Sequence, residues 1–212
     1  MLVERSIALS ALSFCLLATT VWAEANPGAD GKPRPAAGLM MQSGEKRVFA
    51  PCRDNSYSLV DDVSPQGSVT VALNSIGLAA GKRLYVELLA VREGDALKVS
   101  DFNLAQVEGR CQLPAAPNEV WRAAGNEPGW TLAAGGTEVR LKRFGQPDVA
   151  LPYRAFDLEG NVSRYVAEQD ATRLAIQFEK TACRDTMADA VFAWTATVDL
   201  NGQQLKGCAW KR

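Results

Sequence analysis

Two carboxylates in this chain sit among residues whose spacing could serve chemistry. Glu127 lies in Gly125-Asn126-Glu127-Pro128-Gly129-Trp130, and Asp185 follows Cys183 and Arg184. A pair of carboxylates can hydrolyse a glycoside, with the stereochemical outcome set by their separation. The same residues also have a purely architectural use. Pro128 fixes its own φ and turns Glu127 away from helix, while Asn126 and the glycines tolerate left-handed backbone. On that reading the segment is a tight turn whose Trp130 plugs a barrel, Asn126 and Glu127 satisfy backbone groups, and Asp185 caps a turn. A third use combines the two. Asn126, Glu127 and Asp185 would meet near a barrel mouth with Trp130, either as a hydrogen-bonded latch or as the lining of a polar ligand site.

Composition removes several other chemistries. The chain has no histidine, which eliminates Ser-His-Asp and Cys-His catalysis and every His-ligated metal site. No metal site and no cofactor are expected. The formal net charge is −1, too little positive charge for a nucleic-acid footprint, so no nucleic-acid partner is expected. Trp121, Trp130, Trp194 and Trp210 could form a sugar or lipid platform, although their spacing assigns most of them to the core.

Residues 1–23, MLVERSIALSALSFCLLATTVWA, read as a signal peptide. Arg5 marks the n-region, an apolar run follows, and Val21-Trp22-Ala23 fits the cleavage rule. The run is short for a membrane span, so the mature chain is expected to carry no transmembrane segment. Lipidation at Cys15 is disfavoured by the bulky Phe14 before it. Cleavage removes one acid, Glu4, and one base, Arg5, leaving the charge at −1. It leaves Cys52, Cys111, Cys183 and Cys208, an even set in an exported protein of the periplasm or outside the cell. Four cysteines allow three pairings. Cys52–Cys111 with Cys183–Cys208 is favoured because each pair then falls inside one candidate domain.

The elements that must hold these residues read as all-β. Asn201-Gly202 is a strong type I′ hairpin signal. Folding there sets Leu200 opposite Gln203, Val198 opposite Leu205, Ala196 opposite Gly207 and Trp194 opposite Ala209. Phe192 and these apolar residues then share one face. Residues 24–45, rich in Pro, Gly and Ala, read as a flexible linker, and the Met40-Met41 pair in it as incidental. RVFAPC, SYSLV, SVTVAL, KRLYVELLAV and ALKVSDFNLAQV read as five strands of a partly closed, OB-like barrel over 46–113. Two prolines in 112–118 mark a boundary, and 117–212 reads as a second small β-barrel or sandwich. Within it Gly135-Gly136 is a turn, 145–165 is loop-rich, and Leu174, Ile176 and Phe178 share a face. ACRDTMADAV reads as one helical turn capped by Asp185 or Thr186.

The second half also resembles a family of bacterial envelope proteins with the signature GNEPFW, then C-x-D-x-M-S, then G-x-x-x-x-GCA. The matching residues here are Gly125, Asn126, Glu127, Pro128 and Trp130, then Cys183, Asp185 and Met187, then Gly202, Gly207, Cys208 and Ala209. Gly129, Ala188 and Phe192 depart from the pattern. That family is similar to META-domain lipoproteins. The first half is similar to the OB-type barrel of NlpE-like lipoproteins, without their redox-active CxxC. These resemblances imply an envelope location, a link to envelope stress and no known catalytic activity.

The leading expectation is a non-enzymatic periplasmic binding or structural module, with an envelope protein, peptidoglycan or lipid as partner. The alternatives are an inhibitor of a lytic enzyme such as lysozyme, and a hydrolase using Glu127 and Asp185.

Overall fold

The computed structural model describes residues 31–52, 55–111 and 118–212. The leader, Cys15 and most of the 112–118 boundary lie outside these residues. The architecture is all-β, and two β bodies share it. The first is built from β1 (Arg34–Ser43), β2 (Lys46–Pro51), β3 (Ser58–Asp62), helix α1 (Ser68–Asn74), β4 (Leu84–Glu93) and β5 (Ala96–Val107). Its strands run in the order β5-β3-β2-β1-β4, and β4 pairs again with β5, so the sheet closes. The β3–β5 seam is parallel and the other pairings are antiparallel.

Two expectations fail in this body. Residues 34–43 are a strand paired to both neighbours, although the Pro/Gly/Ala-rich stretch reads as linker. Tertiary pairing overrides weak propensity there, and buried Met40 points into the core. SVTVAL is helix, where its alternation suggested a strand. Val69, Ala72, Leu73 and Ile76 are buried at i, i+3, i+4 and i+7, while Val71, apolar in the strand pattern, stays exposed. The helix is started from outside itself. Ser64 Oγ accepts the Val69 N–H at 3.1 Å, and Asp62 Oδ2 accepts the Thr70 N–H at 2.8 Å and its hydroxyl at 2.6 Å. Burial opposes the charge of Asp62, but the hydrogen bonds from Ser64 and Thr70 outweigh it and hold this carboxyl below its ordinary pKa.

The second body comprises β6 (Glu119–Asn126), β7 (Gly129–Gly135), β8 (Glu138–Arg143), β9 (Val149–Pro152), β10 (Asp157–Glu159), β11 (Val162–Gln169) and β12 (Thr172–Glu179). After β13 (Cys183–Asp185) and β14 (Ala190–Phe192) come β15 (Trp194–Leu200) and β16 (Gln203–Lys211). Nine strands form one sheet in the order β10-β11-β12-β15-β16-β6-β7-β8-β9, curled into a half-barrel. The closing hairpin has the expected register, from Leu200↔Gln203 to Trp194↔Ala209. Leu174, Ile176 and Phe178 are buried together, as their alternation requires. The concave side is filled by aromatics: Trp121 meets Phe178 at 4.8 Å and Trp194 edge-on at 5.0 Å, and Phe156 stacks on Phe178 at 5.3 Å. The loop-rich segment 145–165 supplies β9, β10 and the start of β11.

β13 and β14 form a hairpin, where a helical turn was expected, and β14 extends the first barrel by pairing with β5. Phe192 therefore leaves the core face of β15 and stacks on Trp210 at 4.8 Å. Asn103 fastens the two bodies. Its Oδ1 accepts the Lys211 N–H at 2.9 Å and its Nδ2 donates to the Lys211 carbonyl at 2.8 Å, as a neighbouring strand would. The same Nδ2 reaches Glu87 Oε2 at 2.7 Å, and Tyr85 donates its hydroxyl to Glu87 Oε1 at 2.9 Å. Burial, then the charge of Glu87, raises the Tyr85 pKa. Lys180 and Asp101 add an ion pair at 2.6 Å across the same junction.

Candidate functional site

The GNEPGW segment is the β6–β7 hairpin, pairing Asn126 with Gly129 across a cis Glu127–Pro128 bond. Trp130 is buried, and its indole N–H donates to the Lys206 carbonyl at 3.2 Å. The ring lies against two glycines that nothing larger could replace. A Cβ on Gly125 would come 2.3 Å from the Lys206 carbonyl oxygen and 2.3 Å from the indole nitrogen. A Cβ on Gly207 would lie 2.0 Å from the Ala124 carbonyl oxygen. The two backbones close on the tryptophan, and this is why the segment needs small residues there.

Cys183 pairs with Cys208 and Cys52 with Cys111. The first bond pins β13 to the outer face of β16, which carries Asp185 to the β6–β7 turn. Asn126 Nδ2 donates to Asp185 Oδ1 at 2.9 Å. That oxygen also accepts the N–H groups of Met187 at 2.9 Å and Ala188 at 3.1 Å. The Asp185 carboxylate thus holds two turns in place. Glu127 stands apart on the exposed tip, and its side chain makes no hydrogen bond or ion pair among the described residues. Of the four residues singled out from sequence, Asn126 and Asp185 meet, Trp130 packs beneath them, and Glu127 joins no contact.

A shallow groove of about 360 Å³ opens beside this latch, between β13 and β16. Arg184, Thr186, Lys206 and the Cys183–Cys208 bond line it. Ala124 also lines a second shallow groove of about 280 Å³ over β6, β7 and β8. The pairing explains the shape. On the outward face Trp210, Arg122, Ala133 and Arg140 form one cross-strand row. Cys208, Ala124, Thr131 and Lys142 form the next. Short side chains in the middle and long ones at the margins make a floor with a rim.

Two rim cations are satisfied locally. Arg122 makes a bidentate pair with Glu119 at 2.8 Å, and Arg140 pairs with Glu138 at 2.7 Å. The hydrogen bond from Arg122 lowers the pKa of Glu119 despite burial. Lys142 has only a 3.7 Å contact with Asp148. The side chains of Arg184 and Lys206 make no hydrogen bond or ion pair among the described residues. Sequence reasoning missed Arg184, Lys206 and Lys142, because their places along the two grooves are set by pairing across strands. Among the described residues no group of three or more Cys, Asp or Glu side chains is placed to hold a metal ion. No helix among them is long and apolar enough to cross a membrane.

Compared with family models, curated proteins and solved structures, the chain matches none.

Proposed function

We propose that this chain is a non-enzymatic binding module of the bacterial envelope, exported by its leader and held in shape by its two disulfides. The observation that carries the reading is the use made of Asp185. Its Oδ1 is spent on three N–H donors that join two turns, while the uncompensated charge beside it belongs to Arg184 and Lys206. A site with free cations and a committed carboxylate suits retention of a partner better than proton transfer.

The first body supports the same reading. A five-stranded closed barrel in the order β1-β2-β3-β5-β4, with a helix between β3 and β4, has the build of an OB-type barrel, a fold used for binding. The envelope-family resemblance of the second body points to the same compartment, and two disulfides suit an oxidising one. The partner belongs to the envelope: a protein, peptidoglycan or lipid.

The test is retention of envelope components on the immobilised protein, with and without peptidoglycan, compared with an Arg184→Ala/Lys206→Ala variant. Loss of a specific component in the variant is expected. Release of reducing sugar from peptidoglycan that disappears in Asp185→Asn would instead make the protein a hydrolase.

A further inference from the structure

The outer face of β16, β6, β7 and β8 has properties that narrow the partner, given the reading above of a binding module. Its floor is made of the short side chains of Ala124, Thr131 and Ala133. An aromatic residue stands at each of two opposite corners. Trp210 is half-buried against Phe192, and its remaining surface lines the groove. Phe144 is 94 % exposed, just past β8, where its N–H donates to the Gly129 carbonyl at 2.9 Å. From strand spacing and rise, the diagonal between these corners spans roughly 20 Å. Arg184 and Lys206 line the groove beside that path with side chains that make no ion pair among the described residues, and Lys142 lies along it 3.7 Å from Asp148.

We propose that this face binds an extended acidic glycan. Its carboxylates pair with Arg184, Lys206 and Lys142, and its sugar rings lie over the small-residue floor between Trp210 and Phe144. Each feature answers to that chemistry. Sugar rings present flat C–H faces that pack on aromatic and small apolar surface, and planar carboxylates match guanidinium and ammonium donors. A purely apolar partner would strip water from Arg184 and Lys206 with nothing to replace it. A bilayer would need the cations ringed around Phe144, whereas Arg184 and Lys206 line the groove between β13 and β16, with the latch residues Asn126 and Asp185. That latch has a purpose in this scheme. The Cys183–Cys208 bond and the Asn126–Asp185 hydrogen bond hold β13, and with it Arg184, as a fixed wall of the groove.

The experiment is titration calorimetry of the purified protein with an oligomer of galacturonic acid, with the same oligomer methyl-esterified, and with anionic phosphatidylglycerol vesicles. The acid is expected to bind, with affinity falling as salt rises, and the ester is not. Each cation removed, in Arg184→Ala, Lys206→Ala or Lys142→Ala, should weaken binding about tenfold, the loss of one charge-assisted hydrogen bond. Lys82→Ala in the first barrel should change nothing. Circular dichroism spectra matching wild type would keep these losses from reflecting misfolding. Equal binding of acid and ester, no response to the three variants, or uptake by vesicles with none by the oligomer would each overturn the proposal. If the oligomer fails while Arg184→Ala/Lys206→Ala still releases an envelope component, only the glycan assignment falls. If that retention is absent as well, the binding-module reading falls with it.

Discussion

The two β bodies deal with sheet edges in opposite ways, and their surfaces differ accordingly. The first closes through a parallel β3–β5 seam, and its core is completed by Val69, Ala72 and Leu73 of α1. Beyond that seam β5 runs on, and its Leu104–Gln106 stretch is paired by β14. The second remains an open sheet ending in the short strands β10 and β9. It gains stability from a concave side packed with tryptophan, phenylalanine and tyrosine. Its other side keeps a broad cross-strand surface on which charges and a groove can be arranged. Closure suits a scaffold, and an open sheet with one filled side suits presentation.

The strongest challenge to this contrast is Trp130→Ala. It empties the space between Gly125 and Gly207 and should cost about 3–5 kcal/mol in chemical denaturation. The loss should appear in second-body signals before first-body ones. Equal loss in both would mean that the bodies unfold as one unit.

Asp62→Ala tests the first body in the same way. It strands the Thr70 N–H and removes the start of α1, for an expected cost of about 1–3 kcal/mol. The acid response sharpens it. The folded pKa of Asp62 lies below the unfolded value of about 3.9. Its contribution is therefore complete above that value and is lost as pH falls through the folded pKa. Wild type should shed this stability on acidification and Asp62→Asn should not, as read from melts between neutral and acid pH.

Asn103→Ala addresses the junction itself. It removes the paired hydrogen bonds to Lys211 and the contact with Glu87, with an expected cost of about 1 kcal/mol. Calorimetry should show the unfolding transitions of the two bodies drawing apart. A single unchanged transition would place the coupling in β14 and the Lys180–Asp101 pair.

The smallest effect separates the two candidate carboxylates. Asp185→Ala should cost about 1 kcal/mol, as expected for loss of a capping acceptor, and Glu127→Ala about 0.5 kcal/mol or less. Equal costs from denaturant melts would show that Glu127 makes contacts in solution beyond its exposed tip.

Much of the second body was legible in the sequence. Asn201-Gly202 fixes a turn by backbone conformation alone, and strict alternation then sets every pair of the closing hairpin. The disulfide pairs followed from domain grouping. SVTVAL was less legible because Val69, Val71 and Leu73 fit a two-residue period, whereas Val69, Ala72, Leu73 and Ile76 fit a helical one. The deciding contacts come from Asp62 and Ser64, which lie before the segment. Residues 34–43 were hidden for a related reason: their composition reads as linker, and strand pairing with β2 and β4 supplies what propensity does not.

The sequence by itself determined the all-β class, the closing hairpin and the exclusion of histidine chemistry. These rest on local backbone preference, alternation and composition, which act over a few residues or over none. The tertiary structure decided that Asp185 reaches Asn126, that Glu127 stands on an exposed tip, and that Arg184 and Lys206 line one groove. Those residues are separated by up to 80 positions, from Asn126 to Lys206. Their meeting depends on strand order, on register and on the Cys183–Cys208 bond, and none of these is set by the local sequence around any of them.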